Sequence, residues 1–242
     1  MRGAPGPLLP LTDLAPRPLE ATFIERPHRF MVRCQLPSGE VVEAHMPNPG
    51  RLTGTAAPGR ALLLDGPFDT ARRKLRYTCV AIREPSAWVG TVTTRVNQAF
   101  PLLHARGHFP SLAGTTLERA ELKVGASRFD WALRDPAGER VLVECKSVTF
   151  ARGTRVVFPD AVTARGARHL RELTELAAAG QRAAVVFLAQ RGDVEAFEAA
   201  RDIDPTFADA LDEARAGGVE ILATSLRVSP EGLWEGRHLR LG

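Results

Sequence analysis

From residue 20 to residue 83 short apolar runs alternate with clusters of Pro, Gly, Asn and Ser, a rhythm that predicts β-structure with tight turns. Arg29 to Leu36 and Glu40 to His45 flank Pro37-Ser38-Gly39 as a hairpin, and Ala61 to Asp65 and Lys74 to Arg83 read as two more strands. Several short strands in about 65 residues make a small barrel, and OB barrels are common binders of single strands. A composition shift at Pro85 to Gly90 marks a domain boundary. Beyond it, Thr94 to Ala105 carries Val96, Phe100 and Leu103 at helical spacing, with Pro101 bending or shortening the helix. A second helix is predicted to open at Pro159, with Asp160 complementing its dipole, and to reach Ala179 before Gly180. Its apolar stripe would be Val162, Leu170, Leu173 and Ala177. Ala183 to Ala189 reads as a buried strand, Pro205 to Ala216 as a helix capped by Gly217-Gly218, and Val219 to Val228 as a final strand. Strands mixed with helices in this order give an α/β arrangement.

The densest chemistry lies between these elements. Ser127-Arg128-Phe129-Asp130-Trp131 and Val141-Leu142-Val143-Glu144-Cys145-Lys146 face each other across Asp135-Pro136-Ala137-Gly138-Glu139. The loop Pro136-Ala137-Gly138 suits a type I turn closed by a glycine bulge, and that turn sets the register. It pairs Leu133 with Val141, Trp131 with Val143, Asp130 with Glu144 and Arg128 with Lys146. By the two-residue period, Phe129, Trp131, Leu133, Val141, Val143 and Cys145 form a core face, and Arg128, Asp130, Glu144 and Lys146 form a polar one.

A polar face can simply be solvated. Here, however, like charges stand opposite one another, where a pair selected for stability would place opposite signs. Two carboxylates about 5 Å apart repel by roughly 3 kcal/mol at an effective dielectric of about 20, and a divalent cation reverses that sign. Mg²⁺, or Mn²⁺, commonly takes one or two carboxylates together with water and substrate phosphate. Lys146 would point at whatever the metal polarises. Only three of the 32 basic residues are lysine, so a compact ammonium at this position stands out against the arginine used elsewhere.

Asp130, thirteen residues, then Glu144-x-Lys146 resembles the PD-(D/E)-x-K nuclease motif, with Phe129 in place of its proline. A longer set of segments resembles the sugar fermentation stimulation protein A family. These are Met46-Pro47-Asn48-Pro49-Gly50-Arg51-Leu52, Ser127-Arg128-Phe129-Asp130, Val143-Glu144-Cys145-Lys146-Ser147-Val148, and Phe158-Pro159-Asp160-Ala161-Val162-Thr163 running on to Arg165-Gly166 and His169-Leu170-Arg171-Glu172-Leu173. The family's usual threonine in Pro-Asn-Thr-Gly is Pro49 here. The resemblance runs from about residue 20 to about residue 228.

What it implies is an α/β chain, α+β overall. A small N-terminal OB-like β-barrel within residues 1–87 precedes a PD-(D/E)-x-K nuclease-like domain with a central mixed sheet in residues 88–242. Nucleic acid is the implied partner, DNA before RNA. Asp130, Glu144 and Lys146 would be catalytic. Asp130 and Glu144 would hold the metal, joined by Glu121, for which Glu118 is the competing choice. Asn48, Arg51, Arg128, Arg165 and His169 would touch nucleic acid, the last two sharing a helical edge four residues apart.

The net charge of +4 permits nucleic-acid binding without singling it out. Cys34, Cys79 and Cys145 are odd in number and lack a CxxC spacing, which fits a reducing compartment, the cytoplasm, and not a zinc site. Pro5-Gly6-Pro7-Leu8-Leu9-Pro10 reads as a loose lead-in and not as a signal peptide. No segment is long and apolar enough for a membrane span. A Walker loop, a dinucleotide fingerprint and a Ser-His-Asp pattern are all missing. Two readings stand: a Mg²⁺-dependent phosphodiesterase, and a non-catalytic DNA-binding regulator of sugar-use genes.

Overall fold

The computed structural model describes residues 6–14, 16–71, 73–125 and 127–242. The first part of the chain forms strands β1 (Leu19–His28), β2 (Met31–Gln35), β3 (Val41–His45), β4 (Ala61–Asp65) and β5 (Tyr77–Arg83), in the order β3-β2-β1-β4-β5. A parallel pairing of β3 with β5, Ala44 opposite Tyr77, closes them into the expected barrel. Alternation along each strand fills its interior with Phe23, Val32, Cys34, Ala44, Met46, Leu62, Leu64, Cys79 and Ile82. Leu63, Val80 and Ala81 point the other way and join the core of the second domain. Strand β6 (Trp88–Gly90) pairs with β5.

The second domain contains α1 (Arg95–Ala105), β7 (Thr116–Val124), β8 (Ser127–Arg134), β9 (Arg140–Val148), β10 (Ala151–Arg152), β11 (Arg155–Phe158), α2 (Ala164–Ala178), β12 (Arg182–Ala189), β13 (Ala196–Ala199), α3 (Pro205–Ala216), β14 (Glu220–Ser229), β15 (Gly232–His238) and β16 (Arg240–Leu241). Its main sheet runs β15-β14-β12-β9-β8-β7, with β9, β12 and β14 parallel and the outer strands antiparallel. A smaller sheet, β10-β11-β13-β16, has no counterpart in the sequence reading. Both faces of the main sheet are covered. Val141, Val143, Ala184, Val186 and Leu188 pack against α1 and the barrel, while Leu142, Ala183, Val185, Phe187 and Ala189 pack under α2 and α3. This doubly covered sheet explains why β12 is apolar at every buried position.

Four expectations are corrected. Helix α2 starts at Ala164 and not at Pro159, because the Thr163 side chain caps it by accepting from Gly166 N–H at 3.1 Å. Val162 therefore lies outside the helix and is 75% exposed instead of joining its apolar stripe. The strand expected to be final, β14, is followed by β15 and β16. Pro5 lies outside the described residues, but Leu8 to Leu11 are no loose lead-in. Leu9 bridges Leu233, and Leu8 and Leu11 are buried in the core around α1. The three cysteines are buried and unpaired, and among the described residues no helix is long and apolar enough to cross a membrane.

One buried cation ties the barrel segment to the main sheet. The Arg191 guanidinium donates to Glu84 at 2.8 and 3.2 Å, to Asp193 twice at 2.8 Å, and to the Thr149 carbonyl at 3.1 Å. These contacts use all five guanidinium N–H groups, which a lysine could not match. Arg191→Met should lower stability in urea unfolding by an amount at the lower end of the roughly 3–5 kcal/mol seen when a buried pair loses one member, since Glu84 and Asp193 keep some solvent contact. A loss below about 1 kcal/mol would show that this network does not hold the domains together.

Candidate active site

The glycine-bulge turn forms as its sequence predicts. Gly138 takes φ +86°, and its N–H donates to the Asp135 carbonyl at 3.0 Å. The ladder then runs through Arg134–Arg140, Leu133–Val141, Ala132–Leu142 and Trp131–Val143, the predicted register. It stops there. Asp130 and Glu144 are not ladder partners, nor are Arg128 and Lys146, because the Asp130 carboxylate takes the Cys145 N–H at 2.8 Å in place of a strand carbonyl. The side chains change faces at this point as well. Phe129 packs under α2 while Trp131 and Leu133 pack on the α1 side, so the single apolar face expected for the hairpin is divided between two cores.

Glu144 projects toward α2 and is 5% exposed. Its Oε1 accepts from Lys146 Nζ at 2.6 Å and from His169 Nδ1 at 2.8 Å. The Arg165 Nε–H points at His169 Nε2, 3.4 Å away, which leaves the proton of a neutral imidazole on Nδ1. Glu144 Oε2 is buried and has no hydrogen-bond partner among the described residues. Burial alone would raise the Glu144 carboxyl, but the His169 hydrogen bond and the Lys146 charge more than reverse this and hold it below its ordinary value. Asp130 behaves oppositely. Burial, and then the Glu144 charge, push it up to about 6 against the bonds it receives from Cys145 N–H and from Asn97 Nδ2 on α1 at 2.7 Å.

The structure thus brings Asp130, Glu144, Lys146 and His169 together. His169 is 3% exposed and meets Glu144 and the Phe129 ring, so its contact is internal and not at the surface expected for it. Glu121 is set apart. It stands at φ +52° between the Ala120–Trp131 and Leu122–Phe129 pairs, with its exposed carboxylate 3.1 Å from Arg128. Glu118 bonds Arg140 and Arg134 at the surface. Arg51 and Arg165 are exposed on the barrel loop and on the first turn of α2. Asn48 is buried, and its Oδ1 accepts from Gly50 N–H at 2.8 Å.

Sequence reasoning missed two residues. Asn97, a poor helix former inside α1, gave a faint signal of a side-chain role. Arg26 gave none, yet its guanidinium donates to the carbonyls of Asn48, Gly50 and Arg51 at 2.8–2.9 Å and shapes that loop.

Comparison with known proteins agrees with this two-part architecture. Residues 24–91 match the model described as the SfsA N-terminal OB domain, and residues 94–232 match the Sugar fermentation stimulation protein RE domain. A sugar fermentation stimulation protein homolog of Rhodospirillum centenum is 41% identical over 229 residues, which is 93% of this chain and 98% of that protein. One from Ruegeria pomeroyi is 41% identical over 216 residues, 88% of this chain and 94% of its own. The solved structure of Pyrococcus furiosus SfsA in complex with Ca²⁺ superposes with a TM-score of 0.85 at 28% identity, covering 97% of this chain and 99% of that one. With an OB barrel, a PD-(D/E)-x-K nuclease-like second domain and relatives aligned over nearly their whole length, the chain belongs to the sugar fermentation stimulation protein family.

Proposed function

We propose that the protein is a divalent-metal-dependent phosphodiesterase acting on nucleic acid, DNA before RNA, at Asp130, Glu144 and Lys146. The observation that carries this reading is the Glu144 carboxylate: one oxygen is fixed by Lys146 and His169, and the other is buried without a partner among the described residues. A buried acceptor left unmatched costs about 1–3 kcal/mol, and a hard cation is the partner that suits it. Asp130, raised by burial and then by that charge, is the second oxygen donor. Among the described residues no three His, Cys, Asp or Glu side chains form a ready-made metal cluster. Two carboxylates with water and phosphate oxygen completing the shell therefore fit Mg²⁺ or Mn²⁺, and the Ca²⁺ bound by the Pyrococcus furiosus relative supports a divalent ion. Such an ion supplies neutralisation of phosphate charge and a bound water of lowered pKa.

The chain's own groups do the rest. His169 donates to Glu144 Oε1 and so orients the carboxylate, as the outer partners of metal ligands do. Lys146 has two further N–H donors with which to orient a water or balance charge on the phosphate. Asn97 fixes Asp130 from the other face of the sheet.

Labelled single- and double-stranded DNA and RNA, incubated with Mg²⁺, Mn²⁺ or EDTA, test the reading directly. At least one polymer should be cut only when metal is present. Lys146→Ala should slow turnover by about 10²–10⁴-fold and leave binding nearly unchanged. No cleavage of any polymer, with binding intact, would favour the non-catalytic regulator.

Asp130 gives a second test through stability. Its carboxyl rises from 3.8 unfolded to about 6 folded, so the native state holds its proton more tightly. That contribution is full below about pH 4 and is lost as pH rises through about 6, on the order of 2–3 kcal/mol. In EDTA this group should therefore make the wild type melt lower at pH 7.5 than at pH 5, and Asp130→Asn should flatten that slope. Mg²⁺ at pH 7.5 should restore stability to the wild type and do little for the variant. A variant that is destabilised yet still responds to metal would remove Asp130 from the metal site.

Binding should weaken with salt as arginines displace counterions. Arg51→Ala and Arg165→Ala should each reduce the slope of log affinity against log salt by about 1 without changing base preference. An affinity that does not vary with salt would exclude phosphate contact by either residue.

A further inference from the structure

A cleft of about 270 Å³ separates the barrel loop Pro47–Leu52 from the segment joining β11 to α2, and the end of β9 forms its floor. Its walls include Pro49, Phe158, Pro159 and the exposed Val162, which are flat or apolar surfaces. Its polar ends are Asn48 and Asp160, one from each domain. Asn48 is only 4% exposed. Because its Oδ1 accepts from the Gly50 N–H, the orientation of the amide is settled, and the Nδ2 donors are left without an acceptor among the described residues. Asp160 Oδ2 accepts from Leu52 N–H at 3.3 Å, and Oδ1 has no donor among the described residues. Both ends crowd Gly50, where an added Cβ would overlap the Asp160 carboxylate and lie 2.9 Å from Asn48 Oδ1. Only glycine allows this approach of the two domains.

The charges at the two ends select the ligand class. A carboxylate repels phosphate and amide N–H donors repel a cation, so neither ion suits Asp160 and Asn48 together; Arg29, the basic residue that also lines the cleft, is exposed and suits the backbone phosphate of a strand whose base is held inside. A neutral ring with an acceptor beside its donors satisfies both ends and lies against the apolar walls. At 270 Å³ the cleft falls just below the roughly 300–1,000 Å³ of ordinary ligand pockets, which is room for one ring system and not for stacked bases. Guanine offers O6 to the Asn48 amide, and alone among the bases it presents two adjacent N–H donors to the fork of a carboxylate. The location fits as well, since Ser147, which lines the cleft, directly follows Lys146.

We propose that this interdomain cleft takes one unpaired base, guanine by preference, from the strand whose phosphate lies at Asp130, Glu144 and Lys146. The proposal rests on the nuclease reading above and adds to it a base-specific subsite. A base held there is out of its stack, which costs a few kcal/mol in a duplex and least in single-stranded or mismatched nucleic acid. Single-stranded or locally unpaired substrates are therefore the class selected.

The test uses single strands of about 12 abasic nucleotides carrying one central guanine, one central adenine or no base, with binding to the full chain followed by fluorescence anisotropy in EDTA. Guanine should bind about 10-fold tighter than the bare strand, with adenine between. Asp160→Asn and Asn48→Asp are near-isosteric, and Asn48→Asp keeps the oxygen that accepts from Gly50. Each should shrink the guanine advantage below about 3-fold at an unchanged melting temperature. If Asn48→Asp disturbs the loop and lowers the melting temperature, Asp160→Asn alone decides. Equal, salt-dependent binding of all three strands would overturn the base subsite and leave the nucleic-acid reading standing. No binding of any strand, together with no cleavage of any polymer, would overturn both.

Discussion

Burial of one carboxylate shapes this structure more than any other single constraint. Glu144 sits in the middle of β9, opposite Val185 of β12 and covered by α2, where an unpaired charge would cost several kcal/mol. Lys146, two residues along the same face, and His169, one and a half turns into α2, supply that compensation at Oε1. The position of α2 is fixed in turn by Leu170 and Leu173 packing on Phe187 and Val185, so the hydrophobic core sets the aim of the imidazole. Once Oε1 is satisfied, Oε2 is left without a partner among the described residues. A polar group left unmatched in so well paired a setting is better explained by chemistry than by stability.

The opening of the hairpin follows from the same constraint. Were Asp130 and Glu144 a flat ladder pair, both carboxylates would stand side by side in a dry interior. Instead the strands part after Trp131–Val143, Asp130 bonds the Cys145 N–H and Asn97, and the backbone of β7 turns through positive φ at Glu121 beside the same point. A positive φ at a non-glycine residue is uncommon and clusters where geometry is dictated by function. Burial raises the Asp130 carboxyl, and the Glu144 charge adds to that rise. A shared cation would relieve this without moving either strand.

Much of this was legible in the sequence because it depends on local chemistry. Pro136-Ala137-Gly138 dictated the turn, and the turn dictated the register as far as Trp131–Val143; the like-charge pairs expected beyond that point, Asp130 with Glu144 and Arg128 with Lys146, do not form. Four of the barrel strands and α3 were legible from period and punctuation, but β1 was not singled out, because register shifts at Glu25 and before His28 break its two-residue alternation. What escaped were long-range side-chain contacts: the bond from Asp130 to a backbone N–H, the Asn97 brace, and Arg26 gathering the carbonyls of a loop more than twenty residues away. The start of α2 was misread for a different reason. Pro159 and Asp160 look like a helix opening, but Thr163-Ala164-Arg165-Gly166 holds the cap that forms. Asp160 is drawn instead to the barrel loop, a tertiary contact that overrides local propensity. His169 was chosen for its spacing from Arg165. The spacing was right, and the partner it serves lies on the other side of the ring.

The Pro47–Leu52 loop packs the barrel against the second domain. By composition it is a surface turn, but it is packed inward: Arg26 holds its carbonyls, Asn48 closes it, and Gly50 lets the Asp160 carboxylate approach. Arg191 locks Glu84 of the barrel side to the end of β12 with all of its N–H donors. With both clamps in place the barrel cannot turn freely against the sheet. A strand lying along the barrel's exposed Arg51 would then reach the carboxyl end of β9 in one fixed direction, the end at which parallel α/β sheets place their ligands. Pro49, which lines the cleft, brings a ring to its wall and neither a hydroxyl nor a backbone N–H. Recognition there must rest on ring faces and on the Asn48 and Asp160 ends.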